Sequence, residues 1–266
     1  NHYSIDVALG AMISSVFMSR FLEVEISNYT IAILGVVVWC IYTYDHLDDA
    51  RRLSHKKATQ RHRLHGTHFK TLSYLLVAAL LVVIVLLFYI PSRTLLFGSV
   101  LVCLVGVYFV LLKLLELQFS LYKEFVIAVI YTLGVLVGPL SNYDSTLALI
   151  HYVVFFQFGC IALSNLILFS LYEEREDKSQ RFASLIRAIG AGSGVRLLQL
   201  ILLLQLLLYI YLLALGLHIS FVLPLLLMSS LLFILNYKKP IFSKSIAYRI
   251  IGDGVFLLPS LYFLLV

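Results

Sequence analysis

The sequence predicts an all-α integral membrane protein of nine transmembrane helices, and its composition, the length of its apolar runs and the placement of its charges predict it. Of its 266 residues, 61% are hydrophobic and 13% charged, with a mean hydropathy of +0.98. An ordinary soluble domain carries about 45–50% apolar and about 25% charged residues. Polar groups are therefore too few to cover a water-soluble globule, and the chain is too apolar to remain disordered. The apolar runs are long, Leu-rich and non-alternating. A helix crosses a hydrocarbon core with about 20 residues, whereas barrel strands read as short alternating segments, and lipid admits only these two solutions. One polytopic membrane domain over residues 1–266 is expected.

The nine expected spans are 3–18, 29–44, 72–90, 95–112, 125–140, 147–171, 197–215, 219–235 and 251–266. The first is the weakest, being short and carrying Asp6. The second and sixth each end in a cluster of acids, and both are followed by a long loop. The third and fourth meet at the tight connection 91–94, and the fifth and sixth at 141–146. Basic residues bound the remaining ends: Lys113 and Lys123 between spans four and five, Arg196 before the seventh, Lys238, Lys239, Lys244 and Arg249 between the eighth and ninth.

Charge placement supports the count. Eighteen of the twenty Lys and Arg fall in the loops after spans two, four, six and eight, leaving Arg20 and Arg93 for the opposite side. The positive-inside rule makes the rich side cytoplasmic, with the N-terminus there and the C-terminus outside. Topology thus accounts for the formal net charge of +6, and no nucleic-acid partner is expected. Cys40, Cys103 and Cys160 each lie within an apolar run and read as small buried hydrophobes. The first apolar stretch follows no basic leader and shows no cleavage site, so no signal peptide is expected.

Seven of the fourteen acids form two groups, Asp45, Asp48 and Asp49, and Glu173, Glu174, Glu176 and Asp177. Spacings of three and four put Asp45, Asp48 and Asp49 on one helical face, and likewise Glu173, Glu176 and Asp177, where like charges repel. Helix stability does not explain them; a bound cation or close basic partners would. Both groups belong to the same side of the membrane, in corresponding places of two half-units. Mg²⁺ prefers oxygen ligands and shares its shell with water and phosphate. Converging clusters would then clamp a diphosphate, with Arg and Lys completing the site, above an apolar bundle that holds a hydrocarbon tail. The plainer alternative is a pair of solvated helix ends.

At these residues the chain resembles the UbiA superfamily of intramembrane prenyltransferases, which has nine helices and Asp-rich motifs after helices 2 and 6. The first motif reads N-D-x-x-D-x-x-x-D; here Tyr44, Asp45, Asp48 and Arg52 occupy its positions, and Asp49 is an added neighbour. The second reads D-x-x-D-x-x-x-D; here Ser170, Glu173 and Asp177 stand at the acid positions, with Ser184-Leu185 in place of Thr-Leu and Arg181 where Gly is usual. Each motif has lost one member, which marks a divergent branch. The resemblance implies a UbiA-like bundle with cytoplasmic cap loops, Mg²⁺ as cofactor, and transfer of an isoprenyl group from its diphosphate to an aromatic or other lipophilic acceptor. The allylic cation left by ionisation would be shielded in a water-poor cavity.

On this basis Asp45, Asp48, Glu173 and Asp177 are the candidate catalytic and metal-binding residues, with Asp49 as a further metal ligand. Arg61, Arg52, Lys113 and Lys123 are the candidate diphosphate contacts, the two lysines also reading as interface residues that snorkel. The loop after span two holds five of the eight His, and His62 and His65 have a spacing compatible with zinc, although no Cys accompanies them. That loop reads equally as a basic cap over an anionic substrate and as a contact with acidic lipid headgroups. Gln157, Ser164 and Asn165 lie inside span six, and Asn165 either lines the cavity or bridges two helices. Three alternatives stay open: a terpene cyclase on the same scaffold, a catalytically inactive lipid-binding relative, and a cation transporter. The last is disfavoured by acids placed at one membrane face rather than at mid-depth.

Overall fold

A computed structural model describes residues 4–52, 68–115, 122–180, 184–243 and 245–266; for residues 49–52, 109, 112–115 and 175–180 it describes the backbone alone. The described chain is a succession of helices without a strand. In chain order they are α1 (Ile5–Phe21), α2 (Asn28–Arg52), α3 (Phe69–Leu86), α4 (Ser92–Leu115), α5 (Lys123–Ser141), α6 (Leu149–Gln180), the short α7 (Leu185–Ile189), α8 (Ala191–Ala214) and α9 (Ile219–Tyr237). The short α10 (Lys239–Phe242) follows, then α11 (Ala247–Gly254), a tighter 3₁₀ stretch (Val255–Leu261) and α12 (Tyr262–Leu265).

Seven segments are long and apolar enough to cross a membrane, from α2, α3, α5, α6, α8, α9 and the run Ala247–Leu265. The apolar stretch Ser92–Tyr108 of α4 is shorter, and α1 has 17 residues with Asp6 in its first turn. Outward faces are apolar. On α3 only Leu72 and Val83 are buried, while Tyr74, Leu75, Val77, Leu81, Ile84 and Val85 stay exposed. A surface of this kind belongs in lipid rather than water.

Helix ends depart from the expected spans where polar residues continue the helix. α6 runs on to Gln180, past the expected end of span six, so the second acidic group continues the helix. α8 begins at Ala191, which puts Arg196 in its early turns; a long Arg stem lets the charge reach the interface from there. Gly190 (φ 82°) breaks α7 from α8, and Gly216 (φ 81°) ends α8. At Gly216 the chain closes with Gly216 N–H on Leu213 O and Leu217 N–H on Leu212 O, both 3.0 Å, a left-handed cap that a residue with Cβ resists.

The core is built from Phe17 and Met18 of α1, Phe158, Ile161 and Leu168 of α6, Leu198 and Leu212 of α8, and Leu225 and Met228 of α9. Between the two acid-bearing helices stands α5, which packs on both α2 and α6; α1 also packs on α2 and α5. The end opposite the acids is closed. A Cβ on Gly138 would lie 3.1 Å from Thr30 Cγ2 and 3.8 Å from Ser15 Oγ. There, Thr94 and Ser141 hydroxyls are 2.7 Å apart, and Arg93 pairs with Asp144 and donates to Tyr143 O at 3.1 Å.

A polar lock joins α6, α8 and α9 inside this apolar frame. The Gln205 amide donates to Ser164 Oγ at 2.8 Å and to Cys160 O at 3.2 Å, and accepts from Ser229 Oγ. The Tyr209 hydroxyl donates to Leu225 O at 2.6 Å and lies 2.6 Å from Ser229 Oγ. In lipid such groups have no water to turn to, so they find one another. Gln157 and Ser164, two of the polar residues read from span six, belong to this lock, Gln157 through the carbonyl of Gln205 at 3.4 Å.

Candidate functional site

The acidic turns of α2 and α6 lie at one end of the bundle, on either side of α5. At the end of α2, His46 and Leu47 are buried, and His46 Nε2 lies 3.3 Å from Ser4 Oγ at the start of α1. That fixes the helix rotation and leaves Asp45 exposed and Asp48 half-buried. Asp49 and Arg52 continue α2, described as backbone alone.

Asp45 has a counterpart on α5. Glu124, in the first turn of α5, is buried. Its Oε1 accepts from Ser170 Oγ of α6 at 2.6 Å and from the backbone N–H of Leu185, at the start of α7, at 2.8 Å. Its Oε2 is buried with no hydrogen-bond partner.

Glu173 faces another way. Its Oε1 accepts from Arg249 Nη2 at 2.5 Å and from the Tyr248 hydroxyl at 3.1 Å. Asn165, Phe169 and Glu173 succeed one another every four residues along α6, and all three meet α11. Arg249 lies 5.6 Å above the Phe169 ring, and Gly252 approaches both Phe169 and Asn165 so closely that a Cβ there would stand 2.5 Å from Phe169 Cε1. Tyr172 stacks on Tyr248 at 4.3 Å, and Lys239 donates to Leu171 O at 2.7 Å. The acid-bearing end of α6 is therefore clamped to α10 and α11.

The remaining expected residues fall as follows. Lys123 is the first residue of α5 and half-buried, next to Glu124. Asn165 is buried with Oδ1 unpartnered. Arg61, with the loop histidines His55, His62 and His65, lies outside the described residues, and Lys113 and Asp177 are described as backbone alone. In helical register Asp177 falls two turns after Ser170, on the same face of α6.

Glu124 and Arg249 are the residues the sequence reading missed as site members. Glu124 stands beside Lys123 just ahead of an apolar run, where it reads as an interface residue. The one available signal was the serine at an acid position of the second motif, since Ser170 is the residue Glu124 contacts.

Among the described residues, no group of three or more His, Cys, Asp or Glu is close enough to hold a metal by itself. Mg²⁺ does not require one, because it is commonly bound by one or two carboxylates with water and phosphate completing its shell. The donors here are carboxylates, and one buried carboxylate oxygen is without a partner. Carboxylate oxygens are the donor type that a hard divalent cation takes.

In three dimensions the chain is similar to a solved structure of digeranylgeranylglyceryl phosphate synthase in membranes, with a TM-score of 0.57 over 96% of this chain and 92% of that one. The two chains share a fold. Their sequences are 16% identical, so the likeness extends to architecture alone. No family model matches the chain, and no curated protein matches it in sequence.

Proposed function

We propose that the chain is a Mg²⁺-dependent intramembrane prenyltransferase of the UbiA type, moving an isoprenyl group from its diphosphate to an aromatic or other lipophilic acceptor. One observation carries the reading: in a fold shared with a membrane synthase of a prenylated glyceryl phosphate, the acids of α2 and α6 flank α5 at the same end of the bundle. In this reading all nine long helical segments cross the bilayer, and the acidic end is cytoplasmic because the loops there are rich in Lys and Arg.

Asp45 and Asp48 from α2, with Asp49 and, from α6, Asp177, hold the cation. Glu173 joins them once released from Arg249. A Mg²⁺ held by these carboxylates would supply positive charge against the diphosphate leaving group. Arg61, Arg52, Lys113 and Lys123 contact the diphosphate oxygens. The apolar interior between the helices excludes water from the allylic cation until the acceptor attacks. Asn165, buried with a free carbonyl oxygen, accepts a hydrogen bond from the acceptor.

A second reading, an inactive lipid-binding relative, is favoured by one contact: Glu173 is already engaged by Arg249 and Tyr248. Purified protein in nanodiscs, given farnesyl or geranylgeranyl diphosphate, separates the two. The transferase releases pyrophosphate in Mg²⁺, and both EDTA and Asp45→Asn abolish the release. Mg²⁺-dependent binding without any release supports the inactive relative. Release that is indifferent to EDTA overturns the cation role.

A further inference from the structure

Glu124 is a carboxylate that no motif contains, on the helix that separates the two acidic groups. Two neutral donors on Oε1, the Ser170 hydroxyl at 2.6 Å and the Leu185 amide at 2.8 Å, fix its orientation. No ion pair engages it among the described residues. That leaves Oε2 buried and unpartnered. A buried carboxylate oxygen is costly to leave unpaired. A cation is one group that satisfies such an oxygen.

Position matters as much as chemistry. Ser170 occupies the place where the resemblance leads one to expect an acid, and the carboxylate of Glu124 is hydrogen-bonded to that serine. α5 packs on both α2 and α6, and Glu124 stands in its first turn, between the helices that carry the two acidic groups. Asp177 follows Ser170 by two turns on the same face of α6.

We propose that Glu124 lends Oε2 to a divalent cation at the acidic end of the bundle, in place of the carboxylate that α6 lacks at Ser170. The proposal rests on the reading of the α2 and α6 acids as a divalent-cation site. Ser170 then acts as a positioning residue: it holds Oε1 and turns Oε2 toward the ion. The carboxylate lost from one helix is supplied by its neighbour.

Mn²⁺ binding tests this without turnover. The full chain in nanodiscs is titrated with Mn²⁺ in the presence of inorganic pyrophosphate, and free Mn²⁺ is read by electron paramagnetic resonance. Glu124→Gln keeps an oxygen for both Oε1 contacts and removes only the second carboxylate oxygen. It weakens Mn²⁺ binding by about tenfold or more, the scale on which perturbing the surroundings of a metal site acts, while leaving thermal unfolding near that of the parent. Adding Ser170→Asp to Glu124→Gln returns most of the lost affinity, which a merely structural role for Glu124 would not allow. Unchanged binding in Glu124→Gln overturns the proposal, and so does a loss that Ser170→Asp fails to repair. Should Glu124→Gln not fold, Ser170→Ala takes its place, with a loss of a few-fold expected and unchanged affinity refuting the role. If the parent binds no Mn²⁺ with pyrophosphate, the cation-site reading falls and takes the proposal with it; if the parent binds and the variant binds alike, only the part given to Glu124 falls.

Discussion

Replacing Gln205 with Leu removes the centre of the polar lock while nearly preserving volume. The Gln205 side chain makes three hydrogen bonds, two as donor to Ser164 Oγ and Cys160 O and one as acceptor from Ser229 Oγ. Interhelical hydrogen bonds in membrane proteins average about 0.6 kcal/mol and reach about 1.7, so three contribute about 2 kcal/mol. Leu regains little, because lipid tails are as apolar as a protein core and no hydrophobic driving force operates between membrane helices. Ser229 keeps Tyr209 and Leu225 O as partners, which limits the loss on that side. Unfolding in detergent titrated with SDS measures the change, with α8 expected to separate from α6 and α9 at lower SDS. Pairing Gln205→Leu with Ser164→Ala in a double-mutant cycle isolates one bond, with a coupling of about 0.6 kcal/mol expected. A Gln205→Leu protein as stable as the parent, or a coupling of zero, would refute the view that this network holds the three helices together.

Two further substitutions probe the clamp on α6. Arg249→Met leaves Glu173, whose side chain is 17% exposed, without its ionic partner and costs about 3 kcal/mol in the same assay; Arg249→Met with Glu173→Gln recovers most of that, and no recovery would show that Arg249 acts through packing alone. Gly252→Ala puts a Cβ 2.5 Å from Phe169 Cε1 and 2.9 Å from Asn165 Oδ1, so the Phe169 ring or α11 itself must shift, at a cost of about 1–3 kcal/mol; a neutral effect would contradict the close approach of these helices.

The helices themselves were legible because lipid leaves so little choice: an apolar run of span length must be helical. Their ends were less legible. Hydropathy stops at the first charges, whereas α6 continues through Glu173 and Asp177 because nothing in that polar stretch breaks a helix. Asp45 and Asp48 announced themselves by spacing, and the structure adds what spacing cannot carry, namely that His46 turns inward and Asp45 outward. Glu173 was legible as an acid on α6 but not as the partner of Arg249, since that pair joins residues far apart in the chain. Glu124 was hidden for the same reason. A single acid at a helix start has no periodic signature, and its meaning comes from Ser170 and Leu185, which only tertiary packing brings to it.

The central claim is that the acids of α2 and α6 serve one divalent ion and one diphosphate. A cryo-EM structure of the protein in nanodiscs with Mg²⁺ and farnesyl thiodiphosphate tests it most directly. Density for metal and diphosphate between Asp45 and Asp48 on one side and Asp177 on the other, with the farnesyl chain running into the bundle, is the expected result. A ligand bound elsewhere, or acids of α2 and α6 that share no density under saturating Mg²⁺, would contradict it.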